Sequence, residues 1–224
     1  MITIKKYTEK SKFINDVSEL INYSAILAKK EFGNFHVLLS GGSTPGPIYK
    51  ELNKRKEFAE STKIALVDER FVPNYSEFSN EKLVRECFTN SEYSSISGMV
   101  YDTNDQKNNL KLVEEKYKPF IERLDLIVLG MGKDGHFASI FPNDKLSIMS
   151  INKDDYFFST KAPSYPVDRI SCSLNLLMKS TKIILLITGK EKLEILSDTK
   201  QDLPIHKLLK KRQDTITLYL EENE

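Results

Sequence analysis

The sequence has no tryptophan and is poor in cysteine and histidine, with 2 cysteines and 3 histidines in 224 residues. Cys87 and Cys172 lie far apart and form no CxxC pair. This excludes a disulfide framework and predicts two reduced packing residues in a cytoplasmic protein. An aspartate and a histidine could bind a metal, but three histidines without a cysteine cluster argue against a dedicated zinc site. We expect no cofactor and no metal.

An excess of charge of either sign is also missing, because 33 Lys+Arg and 32 Asp+Glu leave a net charge of +1. The composition therefore gives no general attraction to nucleic acids or anionic membranes. No apolar run approaches the roughly 18 residues of a membrane-spanning helix, and the densest one, Ile183–Ile187, predicts a buried strand. The first residues alternate and then turn polar, unlike a signal peptide. We expect a soluble, cytoplasmic protein, and a monomer or weak homodimer, that binds neither nucleic acid nor membrane.

What the sequence does contain is an alternation of strand-like and helix-like segments. Hydrophobic residues make up 40% of the chain, enough to close one sizeable core. Four short apolar runs, most of them followed by a helical pattern, indicate βαβ units: 35–39, 64–67, 124–129 and 182–188. We predict one α/β domain over residues 1–224, with a mostly parallel central sheet and helices on both faces. Residues 143–164 show the least regular pattern and are interpreted as an excursion or flap.

The loop that follows the first run is rich in groups that suit a phosphate. Gly41 and Gly42 let the backbone turn sharply and come close to a ligand. Ser43 and Thr44 add two hydroxyls, and either could cap the helix that begins near Pro45. Exposed backbone N–H groups complete the pattern. It has neither the lysine of a P-loop nor the three glycines of a dinucleotide fingerprint, so an ordinary capped turn remains an equal alternative.

The loop after the third run, 130–136, combines three glycines with an aspartate and a histidine. His136 carries the side chain best suited to proton transfer near neutral pH. Asp134, two residues earlier, can fix the tautomer of the imidazole and stabilise its cation. Packing alone gives no reason for this combination, which we interpret as a catalytic pair.

Three cationic residues stand beside predicted strand ends, namely Arg70, Arg169 and Lys192. Arg70 closes the charged triplet 68–70 directly after a buried strand, where charges are costly unless they pair or meet a ligand. Its guanidinium suits phosphate or carboxylate. Single Lys and Arg residues are more often solvated surface, and these three are singled out for their position. Because ligands bind outside the carboxyl ends of parallel strands, we expect all these loops to meet at one rim.

Taken together, four segments resemble the 6-phosphogluconolactonase family in order and spacing. They are LSGGSTP (39–45), VDERFVP (67–73) with Ser79–Asn80, GMGKDGHFASIFP (130–142) and PVDRIS (166–171). The resemblance extends from about residue 35 to 192 and implies a modified Rossmann fold. It implies an enzyme that hydrolyses 6-phospho-D-glucono-1,5-lactone to 6-phospho-D-gluconate in the oxidative pentose phosphate pathway, without a metal.

The resemblance also implies roles for single residues. His136 matches the general base and Asp134 its companion. Arg70 and Arg169 match cationic residues near the substrate phosphate. Lys192 corresponds to a phosphate-binding lysine of the related glucosamine-6-phosphate deaminases. Because this match is to the deaminases and not to the lactonases, it is weaker support for a phosphate-binding role in this chain.

Two other functions are compatible with a fold of this kind. A glucosamine-6-phosphate deaminase would usually carry a catalytic Glu where Phe141 stands and a Tyr in place of Arg70. A non-catalytic phosphosugar-binding effector domain would need a DNA-binding region, for which neither the length nor the charge leaves room. The chain also departs from the family in having no Trp near its last strand, and the match weakens over 143–164 and after Leu203.

Overall fold

The computed structural model describes residues 4–89, 95–151, 154–198 and 200–221. Among them, seven strands form a sheet in which every neighbouring pair is parallel. In spatial order the strands are β1 (Ile4–Tyr7), β10 (Ile216–Leu220), β9 (Lys182–Thr188), β6 (Leu126–Gly130), β2 (Phe35–Leu39), β3 (Thr62–Leu66) and β5 (Ser95–Ser97). The four predicted strands are its central members, and the predicted α/β fold is confirmed.

Helices connect these strands as the periodicity predicts. The described helices are α1 (Lys10–Phe32), α2 (Gly46–Leu52), α3 (Lys56–Ala59), α4 (Asn80–Cys87), α5 (Gln106–Lys116), α6 (Lys118–Glu122), α7 (Lys145–Ser150), α8 (Leu174–Met178), α9 (Lys190–Ser197) and α10 (Pro204–Lys211). The longest, α1, buries Phe13, Val17 and Ile21 and ends at Gly33, whose φ of 78° is the left-handed conformation of a helix C-cap. Within the described residues, no helix combines the length and apolar character that a membrane span requires.

The hydrophobic core lies on the central sheet. The strands β2, β6 and β9 are buried along almost their whole length, as expected for parallel strands covered on both faces. Their apolar residues join those of the helices in one cluster. Both cysteines are buried and unpaired, as predicted.

A second, antiparallel sheet of three strands was not predicted. It consists of β4 (Asp68–Arg70), β8 (Asp168–Cys172) and β7 (Phe157–Lys161), with β8 in the middle. The charged triplet 68–70 is therefore a short strand rather than a loop. Residues 143–164, interpreted as an excursion or flap, are more regular than their pattern indicates, because they contain α7 and β7, and β7 belongs to the second sheet. Residues 152–153 lie outside the described part.

Candidate active site

A cavity of about 360 Å³ opens at the carboxyl ends of β2, β6 and β9, beside the second sheet. The predicted residues that line it are Gly41, Gly42, Ser43, Thr44, Arg70, His136, Arg169 and Lys192. Asp134 lies just behind the lining and contacts His136. The loops predicted to meet at one rim therefore do meet there.

The glycine loop is held at the cavity by its neighbours. Ser40 begins it, and its Oγ donates to the Val128 carbonyl of β6 over 2.9 Å. Gly42 has a φ of 109°, a conformation that favours glycine. Gly41 must be small for another reason, because a Cβ there would stand 1.9 Å from Oδ1 of Asn80. The loop thus packs directly against the start of α4.

The expected helix cap in this loop is wrong. The residue before α2 is Pro45, and no side-chain hydrogen bond caps the helix. The Thr44 hydroxyl instead lies 3.5 Å from Oγ1 of Thr188, at the end of β9. Both Ser43 and Thr44 line the cavity, and neither side chain caps the helix.

His136 and Asp134 form a close pair. The Nδ1 atom of His136 lies 2.5 Å from Oδ1 of Asp134, which also accepts the backbone N–H of His136 over 3.1 Å. A carboxylate only accepts, so Nδ1 carries a proton, and in the neutral form of the ring Nε2 is the atom with the free lone pair. Burial raises the pKa of Asp134, but its hydrogen bond to His136 and the charge of that ring outweigh the burial and leave the pKa below its usual value. The aspartate is therefore ionised and fixes the tautomer.

The imidazole is confined on two sides. A Cβ at Gly132 would stand 2.2 Å from both Cε1 and Nδ1 of His136, so only glycine leaves room for the ring. Phe141 packs against the ring at a centroid distance of 4.7 Å. An apolar ring therefore occupies the position at which the deaminases would carry a catalytic Glu.

Arg70 and Arg169 come together across the second sheet. They are directly paired residues of the antiparallel strands β4 and β8, so their side chains leave the same face. Arg70 Nη1 donates to the Phe78 carbonyl over 2.6 Å. Arg169 is 7% exposed, and its buried Nε has no hydrogen-bond partner among the described residues. Burial, and then the charge of Arg70, lower the pKa of Arg169. Two adjacent guanidiniums with an unpaired donor favour an anionic ligand.

Two further cavity residues were not assigned roles by the sequence, Asp68 and Asn80. Asp68 Oδ2 accepts from the hydroxyl of Ser139 over 2.6 Å, which joins β4 to the segment after His136. The Asn80 side chain donates to the Asp68 carbonyl over 2.9 Å and packs on Gly41. Single polar residues of this kind give no pattern, and only the fold shows that they meet.

Comparisons with known protein sequences identify the family of this chain. Residues 8–217 match the family described as glucosamine-6-phosphate isomerases/6-phosphogluconolactonase. The chain is 31% identical to the 6-phosphogluconolactonase of Thermotoga maritima over 196 residues, 86% of this chain and 87% of that one. The resemblance stated from the motifs is confirmed.

Solved structures give the same result for the fold. The crystal structure of the 6-phosphogluconolactonase from Thermotoga maritima has a TM-score of 0.84 at 26% identity, covering 99% of this chain and 100% of that one. A 6-phosphogluconolactonase from Shewanella baltica has a TM-score of 0.92 at 24% identity, covering 99% and 98%. At 24% identity, the likeness to the Shewanella baltica protein supports the fold only.

Proposed function

The chain belongs to the glucosamine-6-phosphate isomerase/6-phosphogluconolactonase family, and we propose that it hydrolyses 6-phospho-D-glucono-1,5-lactone to 6-phospho-D-gluconate. It is an enzyme of the lactone-hydrolysing type. The observation that carries the proposal is one cavity that holds both a guanidinium pair and a carboxylate-oriented histidine. The first suits the phosphate of the substrate, and the second suits attack on its ester.

The phosphate is assigned to the cationic side of the cavity. Arg70 and Arg169 supply guanidinium donors, and the backbone N–H groups of 41–44 supply neutral ones. Lys192, which lines the cavity at the first turn of α9, adds a further cation. Binding energy from the distant phosphate accelerates the reaction only because it orients the carbonyl that reacts.

The chemistry is assigned to His136. Its Nε2 takes a proton from a water molecule whose oxygen attacks the C1 carbonyl of the lactone. The tetrahedral intermediate then collapses, the bond between C1 and the ring oxygen breaks, and the imidazolium gives its proton to that oxygen. Water has been added across the ester, and the histidine is regenerated. General acid–base catalysis of this type contributes roughly 10²–10⁴-fold.

Asp134 supports both steps by holding Nδ1–H and stabilising the imidazolium. Backbone N–H groups of a glycine loop are candidates for stabilising the developing oxyanion. No covalent intermediate is required. Ser43 has no general base among its described hydrogen-bond contacts, which disfavours a serine nucleophile.

A coupled assay tests the proposal. Glucose-6-phosphate dehydrogenase generates the lactone in situ, and the rate of acid formation is compared with and without the protein, and with the His136→Ala variant as a control. We expect acceleration over spontaneous hydrolysis that the variant lacks. Ammonia release from glucosamine 6-phosphate would instead favour the deaminase, and tight binding of 6-phosphogluconate without hydrolysis would favour an effector domain.

A further inference from the structure

Glu69 is a buried carboxylate that the proposed chemistry does not use. It stands between Asp68 and Arg70 on β4, is 1% exposed, and points away from the cavity because side chains alternate along a strand. Four groups donate to it. Oε1 accepts the backbone N–H groups of Arg70 at 2.7 Å and Asn80 at 2.8 Å. Oε2 accepts the Ser79 hydroxyl at 3.0 Å and the N–H of Glu81 at 2.7 Å.

These hydrogen bonds join β4 to the first turn of α4. Ser79 is the N-cap of that helix, so the N–H groups of Asn80 and Glu81 are among those that a helix leaves without internal partners. A carboxylate at this end also interacts favourably with the helix dipole. Glu69 therefore caps a helix that is separate from its own strand, and it fixes the distance between the two elements.

Both elements lead into the proposed phosphate site. On one side, the residue after Glu69 is Arg70, whose guanidinium also donates to the carbonyl of Phe78, just before the helix cap. On the other side, Asn80 packs against Gly41 so closely that no side chain fits there. A shift of α4 relative to β4 would thus separate the glycine loop from the guanidinium.

We propose that Glu69 is a positioning residue for phosphate binding: by clamping β4 to the start of α4 it holds Arg70 and the 41–44 loop at the spacing that one phosphate needs. This inference rests on the proposed function, in which the cavity binds a phosphosugar. Glu69 does not touch the ligand and acts through Arg70 and Asn80.

The test compares Glu69→Gln with Asp125→Asn. Glutamine keeps the size of the side chain, but its NH₂ group cannot accept the hydrogen bonds that one carboxylate oxygen of Glu69 accepts. Asp125 is the matched control, because it is also a buried carboxylate and accepts the N–H of His36 over 2.7 Å, but at the amino ends of the strands, away from the cavity. KM and kcat for the lactone, the Kd for 6-phosphogluconate by calorimetry, and the melting temperature are measured for each.

We expect Glu69→Gln to raise KM and Kd by about tenfold, the equivalent of one lost charge-assisted contact, while kcat at saturation is largely retained. Asp125→Asn should lower the melting temperature and leave KM and Kd unchanged. If Glu69→Gln behaves like Asp125→Asn, the clamp serves stability alone and the proposal is overturned.

If Glu69→Gln does not fold, two substitutions of Ser79 test the same contact with a smaller change. Ser79→Ala removes one of the four donors, whereas Ser79→Thr keeps the hydroxyl. We expect a smaller rise in KM and Kd for the alanine variant and near wild-type values for the threonine variant. Unchanged Kd in Ser79→Ala counts against the role of Glu69, whereas a wild-type chain that binds 6-phosphogluconate but hydrolyses no lactone counts against the proposed function alone.

Discussion

Arg70 on β4 and Arg169 on β8 are directly opposed residues of an antiparallel pair, and both line the same cavity. Like charges in this arrangement destabilise a sheet. Among the described residues, the buried Nε of Arg169 has no hydrogen-bond partner. We therefore expect an anion that binds both guanidiniums to relieve this repulsion, beyond what the neighbouring carboxylates of Asp68 and Glu69 already offset.

This relationship predicts that inorganic phosphate stabilises the folded chain. A ligand at 100 times its Kd adds about 2.7 kcal/mol to the free energy of unfolding. We expect the melting temperature of the wild type to rise with phosphate and that of Arg70→Met to respond much less. Lys5→Met, which removes one charge on the edge strand β1, serves as the control and should respond like the wild type. Equal protection of Arg70→Met would contradict the assignment.

Removal of the proposed base should separate catalysis from binding. His136→Ala is expected to lower kcat by on the order of 10²–10⁴-fold, because it removes the proton acceptor. The Kd for 6-phosphogluconate should change little, since the phosphate is held by other groups. Steady-state kinetics and calorimetry measure the two quantities. A variant with wild-type turnover would eliminate His136 as the base.

The carboxylate of Asp134 should contribute through its charge. In Asp134→Asn the amide oxygen can still accept from Nδ1 and from the backbone N–H of His136, as Oδ1 does, but the negative charge that stabilises the imidazolium is lost. We expect a lower kcat, an unchanged Kd and little change in melting temperature. A wild-type kcat in Asp134→Asn would show that the charge of Asp134 has no part in catalysis.

Gly132 should be intolerant of even one methyl group. In Gly132→Ala the new Cβ would stand 2.2 Å from the imidazole of His136 and 2.7 Å from Oδ1 of Asp134, so the pair must move. The expected result is a large loss of kcat with phosphate binding retained. Gly46→Ala is the matched control, because nothing lies within 4 Å of a Cβ there. Equal activities of the two variants would show that the ring has more room than the structure gives it.

Glu69 should make stability depend on pH. Burial raises its pKa to about 7, and the four hydrogen bonds described above only partly oppose that rise. The folded chain therefore binds this proton more tightly than the unfolded chain, whose carboxyl has a pKa near 4.5. The resulting stabilisation is fully present below about pH 4.5 and is lost as the pH rises through about 7.

The comparison with Glu69→Gln isolates this effect. Between pH 4.5 and 8, the wild type should lose up to about 3 kcal/mol of unfolding free energy relative to the variant. Urea unfolding at several pH values measures the difference. A difference that stays constant across this range would show that Glu69 is ionised throughout.

Four inner strands of the central sheet, β2, β3, β6 and β9, could be predicted because each is a continuous apolar run followed by a glycine-rich or charged segment. The second sheet could not. Its strand β4 consists of three charged residues, and alternation alone did not identify β8, since its pairing with β4 and β7 is a contact between distant segments. The edge strand β1 and its neighbour β10 were missed as well, because each is short and flanked by polar residues.

More of the candidate site than of the second sheet could be predicted from the sequence. The histidine and aspartate after β6 could be identified because packing gives no reason for them, whereas the glycine loop and the arginines were singled out by their position beside predicted strands and by the family resemblance. Glu69 was not, since a glutamate within a charged triplet looks the same whether it is solvated or buried. The sequence indicated only that charge beside a buried strand is costly and that Glu69 lies in a segment that resembles the family. Asn80 belonged to one of the segments that carry the resemblance, but its contact with Gly41 could not be predicted because it joins distant parts of the chain.

The cavity lies where two sheets adjoin, and each contributes a different half. The antiparallel sheet carries Arg70 and Arg169, whereas His136 follows a strand of the parallel sheet. The backbone N–H of Cys172 in β8 donates to the Val67 carbonyl just after β3, which fixes one sheet against the other. In the proposed function, the contact between the two sheets therefore sets the distance between the phosphate of a bound sugar and its reacting carbonyl. We expect substitutions that shift one sheet against the other, even far from the cavity, to change which sugar lengths the enzyme accepts.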